Sequence, residues 1–485
     1  MPFKVLVLLI YFITSFDVIA QVSGDNKFHD YVNSLKRDKK IKGSLLSIKL
    51  VNCATGASIF EYQPDLRMIP ASIQKVVTTG MGLVSLGRDY TFKTLLYYDG
   101  EISADSVLNG NLYVVGGGDP SLGAKDFLES GTDAVFSQIT EKLKNAGLTV
   151  IKGKIFVDDS YFNGEYRTGE SVNASWEWED IGSYYGSGVH GLNFFENTFT
   201  AKIVCTEASG INLRMEYPYT EVIMPEVVSD IVVIHKDSLP EIFSFSSPAS
   251  DSYLIRGKIP ASGKEISLNC ALQNPAVAFE FWLRNYLISN NISVYDTDSL
   301  SGVERHLIAE IESPPLSKIA EYANYVSNNL FADAVFKNIS KTINGTATFS
   351  ASAETMIELL KNQKLNTQNI RIIDGSGLSR HNYVTANFMC DYLKMIKQQI
   401  PDFHNFLPSP GTNKSTLRNF MTNYSDKNRI FLKSGSMTGV LNYAGYIVNK
   451  KGETLCVTVM VNNFLCKTKD LRPQLERLIH LMSKL

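Results

Sequence analysis

The sequence predicts an α/β fold of the α+β kind: an antiparallel sheet flanked by helices, with mostly-β segments inserted in the middle of the chain. Three observations carry this. Near the N-terminus, strand-like runs at 45–51 and 57–62 face each other across Cys53-Ala54-Thr55-Gly56 as a hairpin. Near the C-terminus, runs at 445–448 and 454–461 make a second hairpin around Asn449-Lys450-Lys451-Gly452, and an amphipathic helix from about 469 to 484 follows. Between them, from about 93 to 305, short strand patterns recur with Ser, Pro and Gly as punctuation. Two terminal hairpins and a terminal helix imply one sheet built from both ends of the chain.

Taken in order, the segment 1–20 precedes the fold. Lys4 gives a short positive start, 5–13 is apolar, and Val18-Ile19-Ala20 places small or modest residues before a cut ahead of Gln21. This reads as a signal peptide, and the mature chain is expected to be exported. The apolar run is too short for a comfortable membrane span; an uncleaved N-terminal anchor is the alternative. A polar-sided helix is expected over 27–42, ahead of the first hairpin. Ile69-Pro70-Ala71-Ser72-Ile73-Gln74-Lys75 then opens a buried helix, because proline suits a first turn where its missing N–H has no partner anyway. Gly87-Arg88-Asp89 ends that helix. Gly116-Gly117-Gly118-Asp119-Pro120 is a turn and not a dinucleotide fingerprint, since Ser121 stands where a third glycine is needed. A helix is expected over 275–288.

At 485 residues the chain has room for about three domains, and 44% hydrophobic with 20% charged residues is ordinary globular material. The formal net charge of −2 calls for neither nucleic acid nor an anionic surface. Six cysteines form no C-x-x-C and no metal-ligand spacing, so neither zinc nor any cofactor is called for; their pairing is not readable from the sequence.

Three short motifs carry chemistry. Ser72 and Lys75, three residues apart, share one helix face. Serine is too weak an acid to attack unaided, and an amine in reach can take its proton if burial or a nearby cation lowers the amine's pKa. Ser327-Asn328-Asn329 lies near a helix junction, where Ser327 can pass a proton to a leaving amine and Asn329 can hold a substrate carbonyl. Lys433-Ser434-Gly435 follows a strand-like run, offering a strand edge to a peptide, a positive charge for a terminal carboxylate, and a glycine for close approach. Each alone is weak evidence; a capped helix or a solvated lysine accounts for it as well. Together, in this order, they point to an acylating serine enzyme. No G-x-S-x-G elbow is present, and Asp374-Gly375-Ser376-Gly377 is read as a turn.

The three motifs, with the wide interval between Lys75 and Ser327, resemble the D-alanyl-D-alanine carboxypeptidase/endopeptidase family of class C low-molecular-mass penicillin-binding proteins, peptidase family S13. Trp176-Glu177-Trp178-Glu179-Asp180, Tyr184-Tyr185-Gly186 and Asp374-Gly375-Ser376-Gly377-Leu378-Ser379 extend the resemblance over nearly the whole mature chain. It implies a penicillin-binding, β-lactamase-like transpeptidase domain over 21–92 and 305–485. It implies a first inserted domain over 93–197 and 271–304, and a second, β-rich one over 198–270.

By the same resemblance Ser72 is the nucleophile, Lys75 the general base, Ser327 the proton shuttle, and Asn329, Lys433 and Ser434 the substrate holders. Backbone N–H groups of Ser72 and Ser436 form the oxyanion hole beside Gly435, and Asp158 meets the free amine of the diamino acid. Partners implied are peptidoglycan stem peptides, with β-lactams as inhibitors, in the periplasm or cell envelope of a bacterium. The third motif departs from the commoner Lys-Thr-Gly only in Ser434, which keeps the hydroxyl. A β-lactamase or esterase using the same serine, or a binding module without turnover, is the alternative. Whether carboxypeptidase or endopeptidase activity dominates, and whether the chain forms a homodimer, is left open by the sequence.

Overall fold

The computed structural model describes residues 26–162, 170–206, 210–216, 223–248, 250–297 and 304–485; the expected signal peptide lies outside them. No helix among the described residues is long and apolar enough to cross a membrane. A five-stranded antiparallel sheet runs in the order Ile430–Met437, Val440–Val448, Thr454–Asn462, Leu45–Asn52, Ser58–Tyr62. Its two halves join where Leu45 pairs with Asn462 and, at the other end, Asn52 with Leu455. The N- and C-terminal hairpins thus do form one sheet.

Both faces of that sheet are covered, which is why its central strands read as nearly continuous apolar runs. On one face the helices Asn26–Lys36 and Thr468–Met482 pack Phe28, Val32, Leu471, Leu475 and Leu478 against Ile48, Val457 and Val459. On the other, Val76, Val77 and Met81 of the helix Gln74–Ser85 join Phe331, Val335, Leu393 and Met460 in a second core. The first helix ends at Lys36, short of the expected 42, in turns where the Asp38 carboxylate accepts the Lys40 N–H at 2.8 Å.

The remaining strands form two four-stranded and two three-stranded sheets. Lys93–Tyr98 pairs antiparallel with His306–Glu312, so the chain leaves and returns side by side. The middle segment is less purely β than expected. Besides Pro275–Ser289 it holds the helix Thr132–Asn145, whose Val135, Phe136, Ile139 and Leu143 share one face and one core with Phe279 and Leu283.

Candidate active site

The expected single helix at 70 begins instead as a one-turn 3₁₀ segment, Ala71–Ile73, and turns α-helical at Gln74. Ala71 sits at φ +48°, a left-handed conformation that a non-glycine residue adopts only under constraint. The constraint comes from two glycines. A Cβ on Gly377 would lie 2.0 Å from the Ala71 carbonyl oxygen, and one on Gly435 would lie 2.6 Å from that of Pro70 and 3.0 Å from Ser72 N. The nucleophile turn is therefore clamped between two bare backbones. Asn442 adds a sheet-side anchor, its Nδ2 donating to the carbonyls of Ile69 and Pro70 at 2.8 and 2.9 Å. Gly435 was expected to admit a ligand; its bare α-carbon instead admits the Ser72 turn.

Lys75, fully buried, directs Nζ at Ser72 Oγ (2.9 Å), Asn329 Oδ1 (2.6 Å) and the Ser376 carbonyl (2.7 Å). Burial pulls its pKa down to about 8, against the carboxylates of Asp333 and Asp374, which pull the other way. Lys433, also fully buried, donates to Ser327 Oγ at 2.8 Å and to the Ser434 carbonyl at 2.8 Å. Its pKa lies well below the lysine range, first from burial and second from the charge of Lys75. Ser327 stands at φ +63° between the helices Leu316–Tyr325 and Asn329–Asn344. Asn328 caps the second of these, accepting the Phe331 N–H at 3.2 Å. Asn329 also donates one N–H to the Tyr185 carbonyl at 2.6 Å, which leaves its second N–H.

Ile430–Met437 is an edge strand. Leu432 N–H leaves the sheet to reach the Pro408 carbonyl at 3.1 Å, so by alternation the N–H groups of Ser434 and Ser436 face the same open edge. Ser434 Oγ donates to Thr416 Oγ1 at 2.9 Å. Ser72, Ser327, Asn329, Ser434 and Ser436 line one cavity of about 720 Å³.

Asp158 does not line that cavity: its carboxylate turns back on the Ser160 N–H at 2.9 Å, as a turn aspartate does. The acids that do line it are Glu177, Glu179, Asp180 and Glu196. Oxygens of Glu177, Glu179 and Asp180 gather within 4.8 Å of one another. Glu177 is held by Arg380 at 2.9 Å, and burial, with Glu177 next, raises Asp180 to about 6. The six cysteines are free thiols.

Sequence reading missed what holds Lys75. The Asp333 Oδ1 accepts the N–H groups of Gly375 and Ser376 at 2.7 and 2.9 Å, and so aims the Ser376 carbonyl at Lys75. Asp374 accepts from Gly377 and Ser379 (both 2.7 Å), Asn382 (2.9 Å) and Trp176 Nε1 (2.8 Å), tying the turn to the inserted segment. The turn reading of 374–377 holds, yet the turn is a wall of the site. One signal was available: Asp333 interrupts the apolar run Leu330-Phe331-Ala332 and Ala334-Val335-Phe336 one helical turn past Asn329. Burial, and then Asp374, raises the Asp333 carboxyl well above its usual range. Asp333→Asn keeps the acceptor and removes the charge that holds the Lys75 pKa up. The acid limb of the acylation–pH profile is expected to move to lower pH, measured by stopped-flow labelling with a fluorescent penicillin; an unmoved limb would deny the coupling.

A family model, D-Ala-D-Ala carboxypeptidase 3 (S13), matches residues 29–484. The chain belongs to the S13 family. It is, accordingly, a serine-type D-Ala-D-Ala carboxypeptidase-class enzyme acting on peptidoglycan peptides. The D-alanyl-D-alanine carboxypeptidase of Actinomadura sp. (strain R39) is 25% identical over 458 residues, covering 90% of this chain and 81% of that relative. The D-alanyl-D-alanine carboxypeptidase DacB of Haemophilus influenzae is 25% identical over 449 residues, 90% of this chain and 88% of that protein. The crystal structure of penicillin binding protein 4 (dacB) from H. influenzae matches the fold with a TM-score of 0.79 at 22% identity, over 94% of this chain and 99% of that one. A second structure of the same protein, complexed with a β-lactam, gives 0.74 at 21%, over 95% and 100%.

Proposed function

We propose that this S13 enzyme hydrolyses the D-Ala-D-Ala bond of peptidoglycan stem peptides, or the D-Ala–diamino-acid cross-link, through an acyl-enzyme on Ser72. The observation that carries this is the pairing of Ser72 with buried Lys75 at 2.9 Å beside a second pair, Ser327 with buried Lys433 at 2.8 Å. Lys75 takes the Ser72 proton as Oγ attacks the carbonyl carbon. The oxyanion is met by the N–H groups of Ser72 and Ser436, fixed dipoles in a site partly closed to water. The proton taken by Lys75 is relayed through Ser327, which is held by Lys433, to the departing amine, and Lys75, neutral again, then deprotonates the water that releases the acyl group.

Acids of the Glu177–Glu179–Asp180 wall supply the charge for the diamino acid's free amine in place of Asp158. Export, with residence in the periplasm or cell envelope, accords with the sequence's N-terminal segment. β-Lactams, which acylate such serines, are expected inhibitors, consistent with the β-lactam complex of the H. influenzae protein. Incubating the mature chain with a D-Ala-D-Ala peptide is expected to release D-alanine, and penicillin to leave a stable adduct on the Ser72 peptide. An adduct that turns over in seconds would favour a β-lactamase, and a folded chain without adduct or D-alanine release would sink the catalytic reading.

A further inference from the structure

The geometry points to Arg472 as the residue that receives the carboxylate next to the scissile bond, an assignment that rests on the D,D-peptidase reading. Both substrate types carry that group: the terminal D-alanine in one, and the D-centre of the diamino acid in the other. Lys433 is poorly placed for it. Its Nζ is buried, spends donors on Ser327 and on the Ser434 carbonyl, and does not line the cavity. Along Ile430–Met437 the side chains alternate, so while Lys433 and Gly435 turn toward the nucleophile, Ser434 and Ser436 turn the other way.

On that side Ser434 lies across from Tyr443, and Ser436 across from Leu441. The helix Thr468–Met482 brings Arg472 to the same cavity wall, with its guanidinium within hydrogen-bonding reach of the Tyr443 hydroxyl.

Charge bookkeeping in the cavity singles Arg472 out. Arg380, the other arginine in the lining, is neutralised by Glu177 at 2.9 Å. Among the described residues, no carboxylate lies within 4.0 Å of Arg472; Glu476, one turn further on, senses its charge without pairing. The other charged side chains in the lining are Glu177, Glu179, Asp180 and Glu196, which repel a carboxylate. A planar guanidinium lining the same cavity as Ser434 and its open strand edge offers a fork that matches a carboxylate.

The test compares an acylated D-Ala-D-Ala peptide with its C-terminal primary amide in wild type, Arg472→Gln and Arg472→Lys. Wild type is expected to prefer the free acid. In Arg472→Gln, kcat/KM for the acid is expected to fall about 10- to 100-fold, as for loss of a charge-assisted hydrogen bond, while the amide changes by less than about 2-fold. Arg472→Lys, which keeps the charge without the fork and is the gentler change to the fold, is expected to retain part of the acid preference. Equal losses on acid and amide, or an acid preference untouched in both variants, would overturn the assignment alone. Wild type that releases nothing from either peptide and takes no penicillin on Ser72 would overturn the D,D-peptidase reading, and the assignment with it.

Discussion

Ser72→Ala is expected to form no penicillin adduct and to release no D-alanine, and Lys75→Met to acylate on the order of 10³-fold more slowly than wild type. The first removes the attacking oxygen. The second keeps a side chain of similar length in the buried slot but removes the amine hydrogen-bonded to Ser72 Oγ. Asn329 Oδ1 and the Ser376 carbonyl lose a donor with it, so a modest fall in melting temperature accompanies the change. The measurement is the second-order rate of covalent labelling by intact-protein mass spectrometry, on protein shown to be folded by circular dichroism.

The same lysine sets the pH dependence. Its pKa is depressed by burial to about 8, so the amine is protonated and unable to accept a proton below that value and free above it. Acylation is therefore expected to rise with pH through about 8 and then level off. A rate that is flat from pH 6 to 10, or that falls across that range, would remove Lys75 from the base's role.

Gly435→Ala is expected to lower acylation by about 100-fold or more, the size of loss that follows from a misplacement near 1 Å at a reacting group. The new methyl would meet the Pro70 carbonyl oxygen at 2.6 Å and the backbone nitrogens of Ser72 and Ile73 at 3.0 Å. These are backbone atoms, pinned in turn by Asn442 and Gly377, and cannot rotate away as a side-chain tip would. Either the Ser72 turn or the edge strand must move, and the two carry the nucleophile and the Ser436 N–H respectively. Near-normal labelling in a folded Gly435→Ala chain would show that the clamp is slack. Excess overpacking also predicts a lowered melting temperature.

The terminal hairpins, the closing helix, the three motifs and the family itself were legible in the sequence. They are local patterns: period-2 alternation, a 3.6-residue apolar stripe, and short motifs whose spacing places side chains on one helix face or strand edge. The helix Thr132–Asn145 escaped notice because one amphipathic stretch of ordinary length is easily read as more strand among many short ones. Asp158, named through the family resemblance, instead accepts the Ser160 N–H of its own turn, a preference set by local hydrogen bonding.

What surrounds the motifs is non-local. Asp333 and Asp374 lie 258 and 299 residues beyond Lys75 in the numbering, yet their fields act on its amine inside the same core. Gly377 and Gly435 come from two separate segments to clamp one turn. Arg472 reaches the cavity from a helix whose sequence shows only an amphipathic surface. The sequence by itself determined which side chains could do chemistry and in what order they occur. Tertiary structure alone decided which of them are dry, which charges they feel and which neighbours aim them, because burial and Coulomb interaction depend on distance through space and not along the chain.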